Sequence, residues 1–297
     1  MSDRQKECLS AFENEWPYAN TRYCFRHIIA NFIATFNNHK MNRKLWHLAR
    51  VANRAGFNDA LASIRAESEK VANWLMLEPV SKWERHAFKP SIKFDHVSNN
   101  ISEYFYSWIK EDRDKPILQL LENLIRKIMV RFYEKWAEAE KLNDSITPYA
   151  RVYLTTNEYE ARKLQVIHGR GQWYEIVDQV GLKILVNVDD GTCDCGMWQM
   201  NGLPCMHAIV VFMYKREFAH DHVHCYYFKQ AWKVTYDVVI NPIPDESRWP
   251  AFQSKIIEPH VTRTKVSNPK KKRRSAPDEP RAPNATFSKR CSICGEL

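Results

Sequence analysis

Gly191-Thr192-Cys193-Asp194-Cys195-Gly196-Met197-Trp198-Gln199-Met200-Asn201-Gly202-Leu203-Pro204-Cys205-Met206-His207 is the stretch on which the reading of this sequence turns. Three thiols and one imidazole fall in two close pairs, in the pattern C-x-C-x9-C-x-H. Such a donor set suits tetrahedral Zn(II), with Zn–S of about 2.3 Å and Zn–N of about 2.0 Å. A single spacer residue sets Cys193 and Cys195 around a tight turn flanked by Gly191 and Gly196. Pro204 suits a helix start, and the positive end of a helix favours thiolate at Cys205. A closed shell of Cys193, Cys195, Cys205 and His207 leaves no open position, so one structural zinc ion is expected rather than a catalytic one. Disulfides are the competing reading. A C-x-C bridge would be strained, and Met1 to Glu15 has no apolar core of a secretory signal.

Short β-prone runs precede this stretch: Leu164–Ile167, Trp173–Val177 and Lys183–Val188, with turns expected at 168–171 and 179–181. An apolar helix is expected over Ala208–Tyr214. The unit reads as a small ββα-type fold with its core at 164–214, within a domain spanning 143–250.

Residues 1–142 read differently, as helices throughout. Tyr23, Phe25, Ile28, Ile29, Phe32 and Phe36 recur near a period of 3.6, with Asn20 or Thr21 as the expected cap. Leu45, Leu48, Ala49 and Ala52 continue the pattern, as do Phe57, Leu61, Ile64, Val71, Trp74 and Leu75. A long helix is expected after Asp114, with a wide apolar face from Ile117 to Phe132 and a solvated end over Glu134–Lys141. The fold class is therefore α+β, mainly α, with no run long and apolar enough to span a membrane.

Charge is unevenly placed. The chain carries a formal +9, from 44 Lys and Arg against 35 Asp and Glu. Nearly all of that excess lies between Arg263 and Arg290, among prolines and few large apolar residues. The segment 251–297 is expected to be a disordered tail, since it cannot bury enough to offset ordering entropy. Its dense run, Lys270, Lys271, Lys272, Arg273 and Arg274, reads as a nuclear localisation signal or a phosphate-contacting patch. A solvated linker is the alternative. Cys291 and Cys294 resemble the first half of a CCHC knuckle that the chain does not complete. His220, His222, His224 and Cys225 form a His-rich stretch, but alternate spacing makes such side chains diverge.

The segment from Gly191 to Ile209, with strands before it and an apolar helix after it, resembles a SWIM zinc finger. Residues 2–32 and 99–118 are in turn similar to the central part of plant Mutator-like transposase (MULE) domains. Together these resemblances cover most of residues 1–250. They imply a helical insert and the C-terminal part of an RNase-H-like domain, followed by the finger. In that family three acids hold two Mg(II) ions for DNA strand transfer. By motif position Asp3 resembles the second acid and Glu103 the third, and Cys24 and His27 match the family's C-x2-H motif. Read without the resemblance, Asp3 is a surface acid, Glu103 is a first-turn carboxylate behind Ser98 or Asn100, and Cys24 and His27 pack on one helix face.

The first acid and its strand would lie upstream of Asp3. The expectation is thus a derivative truncated at its N-terminus, with vestigial acids and no enzyme activity. It would be a nuclear, zinc-binding protein that contacts DNA through its tail. An active Mg-dependent DDE transposase, or a protein-interaction module acting through the finger, are the alternatives.

Overall fold

The structure, a computed structural model, describes residues 6–250. Asp3, the basic run Lys270–Arg274, Cys291 and Cys294 lie outside the described residues.

The first half is helical: α1 (Lys6–Glu15), α2 (Phe25–Phe36), α3 (Asn42–Arg50), α4 (Arg54–Glu67), α5 (Glu69–Leu75), α6 (Asn100–Trp108) and α7 (Ile117–Lys141). Three short 3-10 turns, Val80–Lys82, Arg85–Ala87 and Pro90–Ile92, lead from α5 toward α6. The apolar stripes of α2 to α5 close one core, in which Phe25, Phe32, Leu45, Leu48 and Ile64 are fully buried. Trp83 stacks on Phe25 at its centre, with ring centroids 5.6 Å apart.

Several helix ends differ from expectation. α2 is capped at Cys24, not at Asn20 or Thr21, because Tyr23 leaves the helix to donate its backbone N–H to the Lys82 carbonyl at 2.6 Å. The stripe from Phe57 to Leu75 is two helices, since the Ser68 hydroxyl accepts from Val71 N and opens α5. α6 is capped by Asn99, whose side chain accepts from Ser102 N at 3.4 Å. The long helix starts at Ile117 behind Pro116, not at Asp114. Its far end is less solvated than expected. Ala139 is fully buried, and Glu140 pairs with Lys233 of α11 (Lys229–Tyr236) at 2.5 Å.

The second core is richer than a ββα unit. It begins at Ile146 and takes in α8 (Pro148–Ala161), which buries Ala150, Leu154 and Ala161. Then come β1 (Gln165–His168), β2 (Trp173–Val177), β3 (Lys183–Asn187) and the two-residue β4 (Thr192–Cys193), an antiparallel meander in the order β1-β2-β3-β4. Tyr174, Ile176 and Val186 face inward. α9 (Met197–Asn201) and α10 (Met206–Lys215) follow, and α10 lies across the sheet with Ile209, Val211 and Phe212 buried. Among the described residues no helix is long and apolar enough to cross a membrane.

Candidate metal centre

Each ligand residue is placed by a different local device. β4 pairs Cys193 with Val186 of β3. The residue between the two thiols, Asp194, fastens the loop to the same strand. Its backbone N–H donates to the Leu185 carbonyl, and its carboxylate accepts from Leu185 N, both at 3.0 Å. The chain then reverses at Gly196, whose φ of 80° is left-handed and whose N–H donates to the Cys193 carbonyl at 2.9 Å. A side chain at that φ is disfavoured, which is why glycine follows the second thiol. Cys205 is the N-cap of α10, with Pro204 just before it, and His207 projects from the first turn.

These devices bring the four donor atoms together: all lie within 4.8 Å of one another. His207 Nδ1 is 3.6 Å from Cys193 Sγ and 3.8 Å from Cys205 Sγ. A tetrahedron with zinc's bond lengths has S···N edges of about 3.5 Å and S···S edges of about 3.8 Å, so the spacing fits an ion at the centre. Cys193, Cys205 and His207 are buried and Cys195 is half-buried.

The electrostatics point the same way. Without a cation, three thiols this close cannot all ionise. Hydrogen bonds from Cys193 and Cys205 hold the Cys195 thiol far below its ordinary range. Hydrogen bonds to Cys195 and Cys205, followed by burial, push the Cys193 thiol far above it. A divalent ion relieves the conflict by replacing the shared protons, and a coordinated thiol stays deprotonated. Bound there, zinc would serve as a cross-link between β4 and α10, with no open position for chemistry.

One supporting residue is not evident in the spacing. Gln199 Nε2 donates to the Cys193 carbonyl at 2.8 Å, and its Oε1 accepts from Cys193 N at 3.2 Å. The Q at 199 looks like any polar residue in sequence; only the fold of α9 back over β4 gives it this place.

The other sequence candidates sit elsewhere. Glu103 is exposed on α6 and ion-paired to Arg26 of α2. Cys24 is buried, and its sulfur accepts from Asn99 N at 3.2 Å. His27 is half-buried, with a buried Nδ1 that has no hydrogen-bond partner. Cys24 and Glu103 therefore share one junction between α2 and α6. The His-rich stretch does not converge. His222 stacks on Phe212 at 3.8 Å and meets Glu217 at 3.0 Å, while His224 accepts from Tyr226 N at 3.4 Å.

The geometry thus defines a closed three-cysteine, one-histidine finger built on a β-meander and a helix start. The SWIM zinc finger family model matches residues 184–216, which contain all four ligands. The comparisons with curated proteins and with solved structures returned no match.

Proposed function

We propose that this chain is a non-catalytic, zinc-dependent nuclear protein of Mutator-like transposase descent that binds DNA. The observation that carries the reading is the Cys193–Cys195–Cys205–His207 centre within a SWIM finger. The basic run Lys270–Arg274 supplies phosphate contacts and a nuclear address. The junction that joins Cys24 to Asn99 and Arg26 to Glu103 supports descent, because it brings two transposase-like segments into contact. Glu103 engages its carboxylate with Arg26, a structural use that needs no Mg(II).

Fluorescence anisotropy with duplex DNA at several salt concentrations tests the binding. About five phosphate contacts by Lys270–Arg274 give a slope of log K against log salt of about −4.5. Absence of binding at low salt would rule the reading out.

One observation favours a second reading, a protein-interaction finger. Ile167, Trp173 and Leu185 share the outer face of the meander and are exposed there. Deleting residues 263–290 separates the two: a protein partner would be retained, while duplex binding would be lost.

A further inference from the structure

α9 is only five residues long, yet it enters both cores. Trp198 packs edge-on against Phe212 in the core beside the sheet, with ring centroids 5.6 Å apart. Met200, two residues on, is buried in the core formed by α2 to α5. The helix is held at the metal end by its own sequence: Cys195 and Gly196 lead into it, and Gln199 grips the backbone of Cys193.

The helical unit holds the same five residues from the other side. Arg85 Nη1 donates to the Arg50 carbonyl at 3.0 Å and to Met197 Sδ at 3.7 Å. Lys93 Nζ donates to the Gln199 carbonyl at 3.0 Å. The backbone of Gly196 lies so close to Ala52 that any Cβ there would overlap the Ala52 carbonyl oxygen. The residue directly after a metal ligand is thus a contact surface for the loop between α3 and α4.

We propose that α9 transmits metal occupancy to the helical unit. With the ion bound, the turn at Cys195–Gly196 and the clasp on Cys193 fix α9. Met200 and the Arg85 contact then lock the helical unit onto the finger. When the ion leaves, its cross-link between β4 and α10 is gone. α9 loosens, and the helical core loses Met200, the Arg85–Met197 contact and the packing of Gly196 on Ala52. Linkage makes the effect reciprocal: docking of the helical unit raises the affinity for the metal. The placement of the transposase-like helices relative to the finger thereby becomes zinc-dependent.

The proposal rests on the zinc assignment, and the experiment distinguishes the two. Hydrogen exchange of the full chain is measured with zinc and after chelation, with metal content determined in parallel. Chelation is expected to speed exchange at least tenfold in residues 25–75 as well as in 184–216. If one equivalent of zinc is bound but exchange in 25–75 is unchanged after its removal, the coupling is wrong and the metal assignment stands. If no zinc binds, both fall. Arg85→Ala provides the second arm, since Arg85 touches no ligand. It should retain one zinc equivalent, bind it several-fold more weakly, and reduce the response of residues 25–75 to chelation. Unchanged affinity and an unchanged response would overturn the proposal.

Discussion

Gln199 closes a two-bond clasp on Cys193, donating to its carbonyl at 2.8 Å and accepting from its N–H at 3.2 Å. The pair ties the metal-bearing strand β4 to α9, so the first ligand is oriented before any ion arrives. Partners of this kind fix ligand geometry and account for a large share of affinity in metal sites.

Replacing Gln199 by Ala should therefore weaken zinc binding by about 10-fold or more while leaving the four ligands intact. Gln199→Glu should be worse than Ala, because it sets an anion against the Cys193 carbonyl and near three thiolates. Competition with a chromophoric chelator measures both variants. Equal affinity in wild type and Gln199→Ala would remove the clasp from the account.

Gly196→Ala should destabilise the protein by at least about 1–3 kcal/mol, since a side chain is strained at this φ. The overlap with the Ala52 carbonyl adds to that cost. Gly171, with φ of 119° and open space around it, lacks the second penalty. Gly171→Ala should thus lower the melting temperature less than Gly196→Ala, and a thermal melt of the two variants compares them directly.

The helical core contains a buried carboxyl, Glu84, in contact with His86. Burial pushes the Glu84 carboxyl from 4.5 up to about 8, and burial, then Arg54, lowers His86. Glu84 Oε2 accepts from Ala87 N at 3.3 Å and lies against His86 Nδ1. Because the folded value is raised, the folded state keeps a proton that the unfolded chain releases between pH 4.5 and about 8. Stability conferred by this group is fully present below that window and is lost as pH rises through it. Glu84→Gln removes the titration and keeps the size and shape of the side chain. It should match wild type near pH 4 and melt roughly 2–4 °C higher at pH 8.5. A variant no more stable than wild type at pH 8.5 would contradict a raised Glu84 carboxyl.

Much of the site was legible in sequence because coordination chemistry imposes spacing. The C-x-C and C-x-H pairs, the flanking Gly196 and the helix after Pro204 all lie within the stretch that carries the ligands. What was not legible depends on distant neighbours. Gln199 acquires its role only when α9 folds back on β4. Gly196 reads as a turn glycine, but its contact is with Ala52, far away in sequence. Nothing local marks Glu84 as buried.

The helical half shows the same limit. Its apolar period located α2, α3 and α7, yet it ran unbroken through Ser68, where capping starts a new helix in nearly the same register. α8 escaped notice because its buried residues, Ala150, Leu154 and Ala161, are small or sparse among polar ones. β4 is two residues long, too short for any alternation to register.

The central claim is that Cys193, Cys195, Cys205 and His207 hold one structural zinc ion. Metal analysis of the purified chain, together with Cys205→Ser, tests it most directly. One equivalent of zinc per wild-type chain, falling below about half in Cys205→Ser with loss of the sheet's folded signal, is the predicted result. Less than about half an equivalent in wild type, or a Cys205→Ser chain that retains its zinc, would contradict the account.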